Sequence, residues 1–340
     1  MTMPRAISGN ELPGKDGVLT VTNLQKRFLL GRAGIFGRGS ESYVHAVDDV
    51  SFSLGRGEVL ALVGESGCGK STLALTLLGL EKPTRGSIRF EGNEISEYSS
   101  AQMKNVRRHM QMIFQDPYES LNPLMSIGEI VMEPLKVHKL GGSRAEQETR
   151  VVRALEDAGL KPADRYLKRL PHELSGGQRQ RVVIAGALVL EPTLLLADEP
   201  VSMLDVSIRA EILNLLAELR DTRGISILFI THDLGTVGAL ADRVAVMYLG
   251  RIVEIGPTMA VLTNPQHPYT KALLSVVPVP NPRLRHKRLI LSGETPDPIN
   301  LPTGCRFHPR CPLAVDACRK TDPPLHPAGA GQEVACILVE

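Results

Sequence analysis

Gly64-Glu65-Ser66-Gly67-Cys68-Gly69-Lys70-Ser71 has the spacing of a phosphate cradle: a glycine, four residues, then Gly-Lys-Ser. Glycines let successive backbone N–H groups converge on one set of oxygens, and a helix opening there points its positive end the same way. Lys70 is placed to bridge β- and γ-phosphates, and Ser71, followed by Thr72, to ligate Mg²⁺. A chance glycine turn can share this pattern. Context separates the two readings: an apolar run, Val59–Val63, precedes the loop, and Ser71–Leu80 reads as a helix after it. A second constellation is Leu194-Leu195-Leu196-Ala197-Asp198-Glu199, an apolar strand ending in two acids. An acid at the C-terminal end of a parallel strand sits at the ligand edge of a sheet. There Asp198 suits Mg²⁺, and Glu199 suits the orientation or deprotonation of an attacking water. Cys68, close to Lys70 and at a helix N-terminus, is expected to lean toward thiolate and to react with alkylating reagents.

The elements that must position these residues alternate in type. Leu19–Phe28, Val44–Leu54, Val59–Val63, Met110–Phe114, Leu194–Ala197, Ile225–Ile230 and Val244–Tyr248 read as strands. Several are apolar throughout, as strands buried on both faces are. Residues 126–190 read mostly as helix, and Ser207–Leu219 as an amphipathic helix. Strands alternating with helices predict an α/β fold with a mostly parallel sheet covered on both faces, interrupted by a helical insert. Residues 1–17 read as a mobile tail, and Gly31–Ser42 as a surface loop. After Pro257 proline becomes dense, and four of the five cysteines lie beyond residue 300, which marks a separate C-terminal extension.

Composition narrows the function classes. With 39 Lys+Arg against 37 Asp+Glu, the net charge of +2 gives no footprint for nucleic acid. Aromatics are 4% and Trp is absent, which argues against stacking platforms for single strands. The longest apolar run, Val182 to Leu190, is far short of the ~18 residues a membrane span needs. No secretory leader is read at the N-terminus, so a cytosolic chain is expected, with any membrane link made through partners.

At Leu174-Ser175-Gly176-Gly177-Gln178-Arg179-Gln180-Arg181 the chain resembles the signature sequence of ATP-binding-cassette (ABC) ATPases. Gln115 in Phe114-Gln115-Asp116-Pro117 resembles the Q-loop, Ser202-Met203-Leu204-Asp205 the D-loop and Thr231-His232-Asp233 the switch-histidine loop. The resemblance covers about residues 18–258, with the helical subdomain at about 117–190. It implies a P-loop ATPase fold with an antiparallel β subdomain beside the parallel core. It also implies ATP hydrolysis with Mg²⁺ on Ser71, Gln115 and Asp198, and catalytic roles for Glu199, His232, Lys70 and Gln115. Ser175, Gly176, Gly177 and Gln178, with Asp205, would act in trans on ATP held by the P-loop of a second cassette. The residues agree with this in part: Ser175-Gly176-Gly177 opening a helix is itself an anion site, far along the chain from the first. An aromatic that stacks on adenine is implied as well, with Phe28 the candidate and Tyr43 its rival.

Two stretches resemble the peptide/nickel importer branch of that family. They are Gln115 to Pro123, and the tail that runs from His267-Pro268-Tyr269 to Cys305-Arg306-Phe307-His308-Pro309-Arg310-Cys311-Pro312. The branch implies import of di- or oligopeptides or a related small solute. It implies two permeases, a second ATPase subunit (identical or paralogous) and an extracytoplasmic solute-binding protein. The chain would then sit peripherally on the cytoplasmic face of the bacterial inner membrane. An ABC ATPase acting on nucleic acid or the ribosome, and a non-hydrolysing scaffold, are the alternatives. The single cassette, short basic clusters such as Arg283–Arg288, and intact catalytic positions speak against them. In the extension, residues 259–340, Cys305, Cys311, Cys318 and Cys336 suit thiolate ligation better than disulfides in a reducing compartment. Zinc, with His308 as a further donor, and an iron–sulfur cluster both suit four such residues. The resemblance favours a [4Fe–4S] cluster, since some dipeptide-importer ATPases hold one in this extension.

Overall fold

The structure, a computed structural model, describes residues 17–32, 41–277, 289, 291 and 293–339. The tail before residue 17, most of the loop read at Gly31–Ser42 and the basic cluster Arg283–Arg288 lie outside the described residues. The strands are β1 (Leu19–Arg32), β2 (Glu41–Leu54), β3 (Val59–Val63), β4 (Arg85–Phe90), β5 (Asn93–Glu94), β6 (Met110–Ile113), β7 (Leu194–Asp198), β8 (Ser226–Thr231), β9 (Arg243–Tyr248), β10 (Arg251–Pro257), β11 (His326–Pro327) and β12 (Glu333–Val334). The helices are α1 (Lys70–Leu77), α2 (Ser100–His109), α3 (Pro117–Ser120), α4 (Ile127–Val137), α5 (Arg144–Asp157), α6 (Gly176–Leu188), α7 (Val206–Arg223), α8 (Leu234–Leu240), α9 (Thr258–Thr263) and α10 (Pro268–Ser275).

Two sheets form the frame. The larger has the order β11-β12-β10-β9-β3-β8-β7-β6, and its central pairs, β9·β3, β3·β8, β8·β7 and β7·β6, are parallel. The smaller is antiparallel, in the order β2-β1-β4-β5. Alternation along the parallel strands divides the core. Val59, Ala61, Val63, Leu195, Ala197, Ile227 and Phe229 face one cluster with the helices α4 to α8, whereas Leu60, Leu62, Leu194, Leu196, Leu228 and Ile230 face α1 and the antiparallel sheet. Both faces are therefore covered, which is why these strands carry no polar alternation. The strand ends converge at their C-terminal edge, where β3 feeds the glycine loop, β7 ends in Asp198 and β8 in Thr231.

Several elements differ from the sequence expectation. The stretch 126–190 is mostly helix, as read, and resolves into three helices. It is broken where Gly141 and Gly142 take positive φ and where Pro162 and Pro171 open one-turn 3-10 segments. Strands β4 and β5 and helix α2, unread in the sequence, are short or polar. Helix α2 buries only Met103, so it carries no apolar stripe. The C-terminal extension joins the main sheet: β12 pairs with β10 through Glu254↔Val334 and Ile255↔Glu333. Among the described residues no helix is long and apolar enough to cross a membrane.

Candidate active site

Glycine conformation builds the cradle. Gly69 caps α1 at φ 107, in the left-handed region, and a Cβ there would land on the Ala46 carbonyl oxygen. Only glycine lets the loop lie against β2 in this way. Lys70, at the first turn, is buried. Its ammonium donates to the carbonyls of Gly64 (2.8 Å) and Glu65 (2.9 Å), so it spans the mouth of the loop. Around it lies a cavity of about 730 Å³ lined by Phe28, Val44 and Ala46, by Gly64 to Gly67 and Gly69 to Thr72, and by Gln115, Glu199 and His232. Leu273 and Pro298, both from the C-terminal extension, complete its wall.

Phe28 and Tyr43 are separated by the pleat. Phe28 pairs with Val44 across β1 and β2, and Tyr43 pairs with Leu29, so the two aromatics lie on opposite faces. Phe28 and Val44 line the cavity. Tyr43 instead donates to Glu41 at 2.5 Å.

Glu199 is the hub of the polar cluster. It adopts φ 47, and its N–H donates to the Ile230 carbonyl (2.9 Å), which turns the residue back toward the end of β8. Its carboxylate accepts from Gln115 Nε2 (3.2 Å) and lies 3.0 Å from His232 Nδ1. Three residues far apart in sequence thus meet at one carboxylate. Asp198 lies just behind, 5% exposed. Burial raises its pKa, and the hydrogen bond with Ser71 and the charge of Lys70 work against that rise. Its Oδ1 is buried without a hydrogen-bond partner. A buried carboxylate oxygen left open beside a serine hydroxyl suits a divalent cation, directly or through its water.

The signature residues lie elsewhere. Ser175 caps α6 in a reciprocal box with Gln178: Gln178 N–H donates to Ser175 Oγ (3.3 Å), and Ser175 N–H to Gln178 Oε1 (3.1 Å). Ser175, Gly176, Gly177, Gln178 and Asp205 are not among the residues lining the cavity. Asp205 caps α7, with Met203 and Val206 exposed on either side.

One expectation about cysteine needs correction. Cys68 is 3% exposed, and burial raises its thiol pKa in spite of Lys70, whose Nζ lies 3.7 Å from Sγ. The side chain packs beneath the loop, so the local rule of helix terminus and lysine is overridden by desolvation. In the extension all four cysteines, with His267, Phe307 and His308, line one small cavity. Yet among the described residues no three His, Cys, Asp or Glu side chains are grouped so as to hold a metal ion. His308 Nδ1 lies 2.9 Å from the Cys305 carbonyl. Neither a zinc ion nor an iron–sulfur cluster is therefore shown here. Burial pushes Cys305 up to about 11 and also raises Cys311 and Cys336.

Sequence reasoning missed the cavity's contribution from Val44, Ala46, Leu273 and Pro298, and the extension's grip on the loop. Glu65 is held bidentately by Arg310, and Asp48 of β2 by the buried Arg306. No local pattern flags pairs some 250 residues apart, although Arg306 and Arg310 stand in the quoted cysteine stretch.

Comparison with known proteins places the chain. The family model "ABC transporter" matches residues 47–202, and "Oligopeptide/dipeptide transporter, C-terminal region" matches residues 253–318. A probable peptide ABC transporter ATP-binding protein of Sinorhizobium fredii is 49% identical, over 94% of this chain and 90% of its own. The dipeptide transport ATP-binding protein DppF of Haemophilus influenzae is 46% identical, over 97% of this chain and 99% of its own. Among solved structures, cbiO1 of Clostridium perfringens, part of an ABC transporter complex, superposes with a TM-score of 0.63 at 34% identity, covering 73% of this chain and 92% of its own. A dimeric ATP-binding cassette bound to ADP and Pi gives 0.62 at 29%, covering 71% and 98%.

Proposed function

Since the chain belongs to the ATP-binding subunits of peptide ABC transporters, we propose that it drives di- or oligopeptide uptake by hydrolysing ATP at sites shared between two closing ATPase subunits. The observation that carries the catalytic part is the meeting of Gln115 and His232 on the Glu199 carboxylate, beside the cavity that Lys70 and Ser71 line.

Adenine stacks on Phe28. The phosphates lie along Gly64 to Thr72, where backbone N–H groups and Lys70 balance their charge. Ser71 and Gln115, with the open oxygen of Asp198 behind them, would hold Mg²⁺, which would supply positive charge against the triphosphate. Glu199 accepts the proton of the attacking water, and His232 fixes the carboxylate and the water relative to the γ-phosphate. Ser175, Gly176, Gly177, Gln178 and Asp205 act on the ATP of the partner subunit. That they do not line this chain's own cavity, and that Met203 and Val206 beside Asp205 are exposed, supports a head-to-tail pair. Closure of that pair is transmitted to two permeases, which receive peptide from an extracytoplasmic binding protein, and the subunit works at the cytoplasmic face of the inner membrane.

The proposal extends to the cysteines. Cys305, Cys311, Cys318 and Cys336 would hold a [4Fe–4S] cluster. Its support is that all four line one small cavity. A cubane spreads its ligands over four corners, whereas zinc draws four sulfurs to about 2.3 Å from one centre. The cluster would fasten the extension, and no step of hydrolysis passes through it. Anaerobically purified protein is expected to be brown with about four irons per chain; colourless, iron-free protein removes the cluster.

The test of the function is reconstitution with the permeases and binding protein in vesicles. ATP hydrolysis is expected to rise on adding peptide and to load the vesicles with it. Hydrolysis stimulated by nucleic acid and indifferent to peptide would overturn the reading.

A further inference from the structure

Glu65 is an awkward residue for its position. It lies inside the phosphate loop and lines the nucleotide cavity, where a carboxylate opposes an anionic ligand. The extension answers it. Arg310 Nη1 donates to Glu65 Oε2 (2.8 Å) and Nη2 to Oε1 (3.2 Å), a two-pronged pair. Thr295 Oγ1 donates to Oε2 (2.9 Å) and accepts from Arg310 Nη1 (3.3 Å). The Glu65 N–H donates to the Tyr269 hydroxyl (3.0 Å), and its carbonyl accepts from Lys70. Every polar group of Glu65 is therefore engaged, all but the carbonyl by residues beyond position 268.

Arg310 is itself held firmly. Its side chain is 9% exposed, and the guanidinium lies 5.9 Å from the centroid of Tyr248. Tyr248, Tyr269 and Phe307 pack on one another with centroids 4.7–5.4 Å apart. The same turn carries Arg306, buried against Asp48 and donating to the Leu249 carbonyl (2.6 Å). A rigid turn thus delivers one guanidinium to the loop.

We propose that Arg310 is a positioning residue of the nucleotide site, supplied by the C-terminal extension, which fixes the Glu65 segment of the phosphate loop and cancels the carboxylate charge that would face ATP. This rests on the nucleotide-binding reading above. It adds that the extension is part of the ATP site in cis. Removing the guanidinium leaves a bare carboxylate near the triphosphate, so binding suffers while the Glu199 cluster is untouched.

The experiment uses the full chain and measures ATP affinity and steady-state hydrolysis. Arg310→Met is expected to raise Kd and KM for ATP about tenfold with kcat within about twofold. Arg310→Lys, which keeps the charge but loses the fork, should fall between. The decisive variant is Arg310→Met combined with Glu65→Gln, expected to recover affinity to within about threefold of wild type. A merely structural role for Arg310 predicts no such rescue. If Arg310→Met does not fold, Arg310→Lys alone still tests the idea, because losing the fork should raise the Kd for ATP about threefold. Unchanged affinity in Arg310→Met or in Arg310→Lys, or no rescue in the double variant, overturns the proposal. A wild-type chain that binds no ATP would instead overturn the nucleotide-site reading.

Discussion

The Arg306–Asp48 pair joins the extension to the antiparallel sheet, and its removal has a calculable cost. Both side chains are under 10% exposed, at 7% and 9%. Arg306→Met leaves Asp48 as a buried anion whose remaining ion-pair partner among the described residues is Arg27 at 3.5 Å. Breaking a buried pair from one side costs about 3–5 kcal/mol, and the residual arginine favours the lower end, about 3 kcal/mol. At roughly 2.1 cal/mol/K per residue, 340 residues give about 1.4 °C per kcal/mol, so the melting temperature should fall by about 4 °C. Adding Asp48→Asn removes the stranded charge and should return more than half of the loss. The pH dependence has a definite sign. Burial alone would raise the Asp48 pKa, but Arg306 and the neighbouring arginines hold it below its ordinary 3.8. The pair therefore stabilises fully above about pH 4, and its contribution is lost as pH falls through the lower folded value. Thermal unfolding of wild type and variant should show a constant gap from about pH 5 to 8 that closes in stronger acid. Equal melting temperatures at pH 7 would refute the assignment of this pair as a fastening of the extension.

Gly69→Ala would drive a Cβ into the Ala46 carbonyl from a left-handed backbone, so ATP affinity should drop more than about tenfold by equilibrium binding, whereas Gly186→Ala, with open space around its Cβ position, should not change it. Cys68 should resist iodoacetamide in the native protein at pH 7.5, read by mass spectrometry, and Cys68→Ala should retain hydrolysis within about twofold. Rapid native labelling of Cys68 would contradict its burial.

What the sequence made legible was what local physics encodes. The phosphate loop needs glycine at fixed positions, and buried parallel strands need unbroken apolar runs, so Gly64 to Ser71 and the strands ending at Asp198 and Thr231 stood out. Their convergence followed from the rule that strand ends gather at one edge. The extension's engagement was not legible. Strands β11 and β12 are two residues each, too short for any period, and the pairs Arg310–Glu65 and Arg306–Asp48 leave no pattern in a chain read locally. Cys68 misled because its sequence neighbours favour thiolate, while the desolvation that reverses this comes from packing. The choice between Phe28 and Tyr43 needed register, which places Phe28 with Val44 on the cavity face.

The central claim is hydrolysis by a Glu199-centred site, and the Glu199→Gln protein tests it most directly. The variant keeps the hydrogen-bonding shape around Gln115 and His232 but removes the proton acceptor. Binding and turnover should therefore separate. Mixed with MgATP, and with its partner ATPase where the pair is mixed, it should retain wild-type nucleotide affinity. It should accumulate as a closed, ATP-loaded dimer in size-exclusion chromatography and turn over at least ~100-fold more slowly in single-turnover assays. Turnover at the wild-type rate would contradict the account.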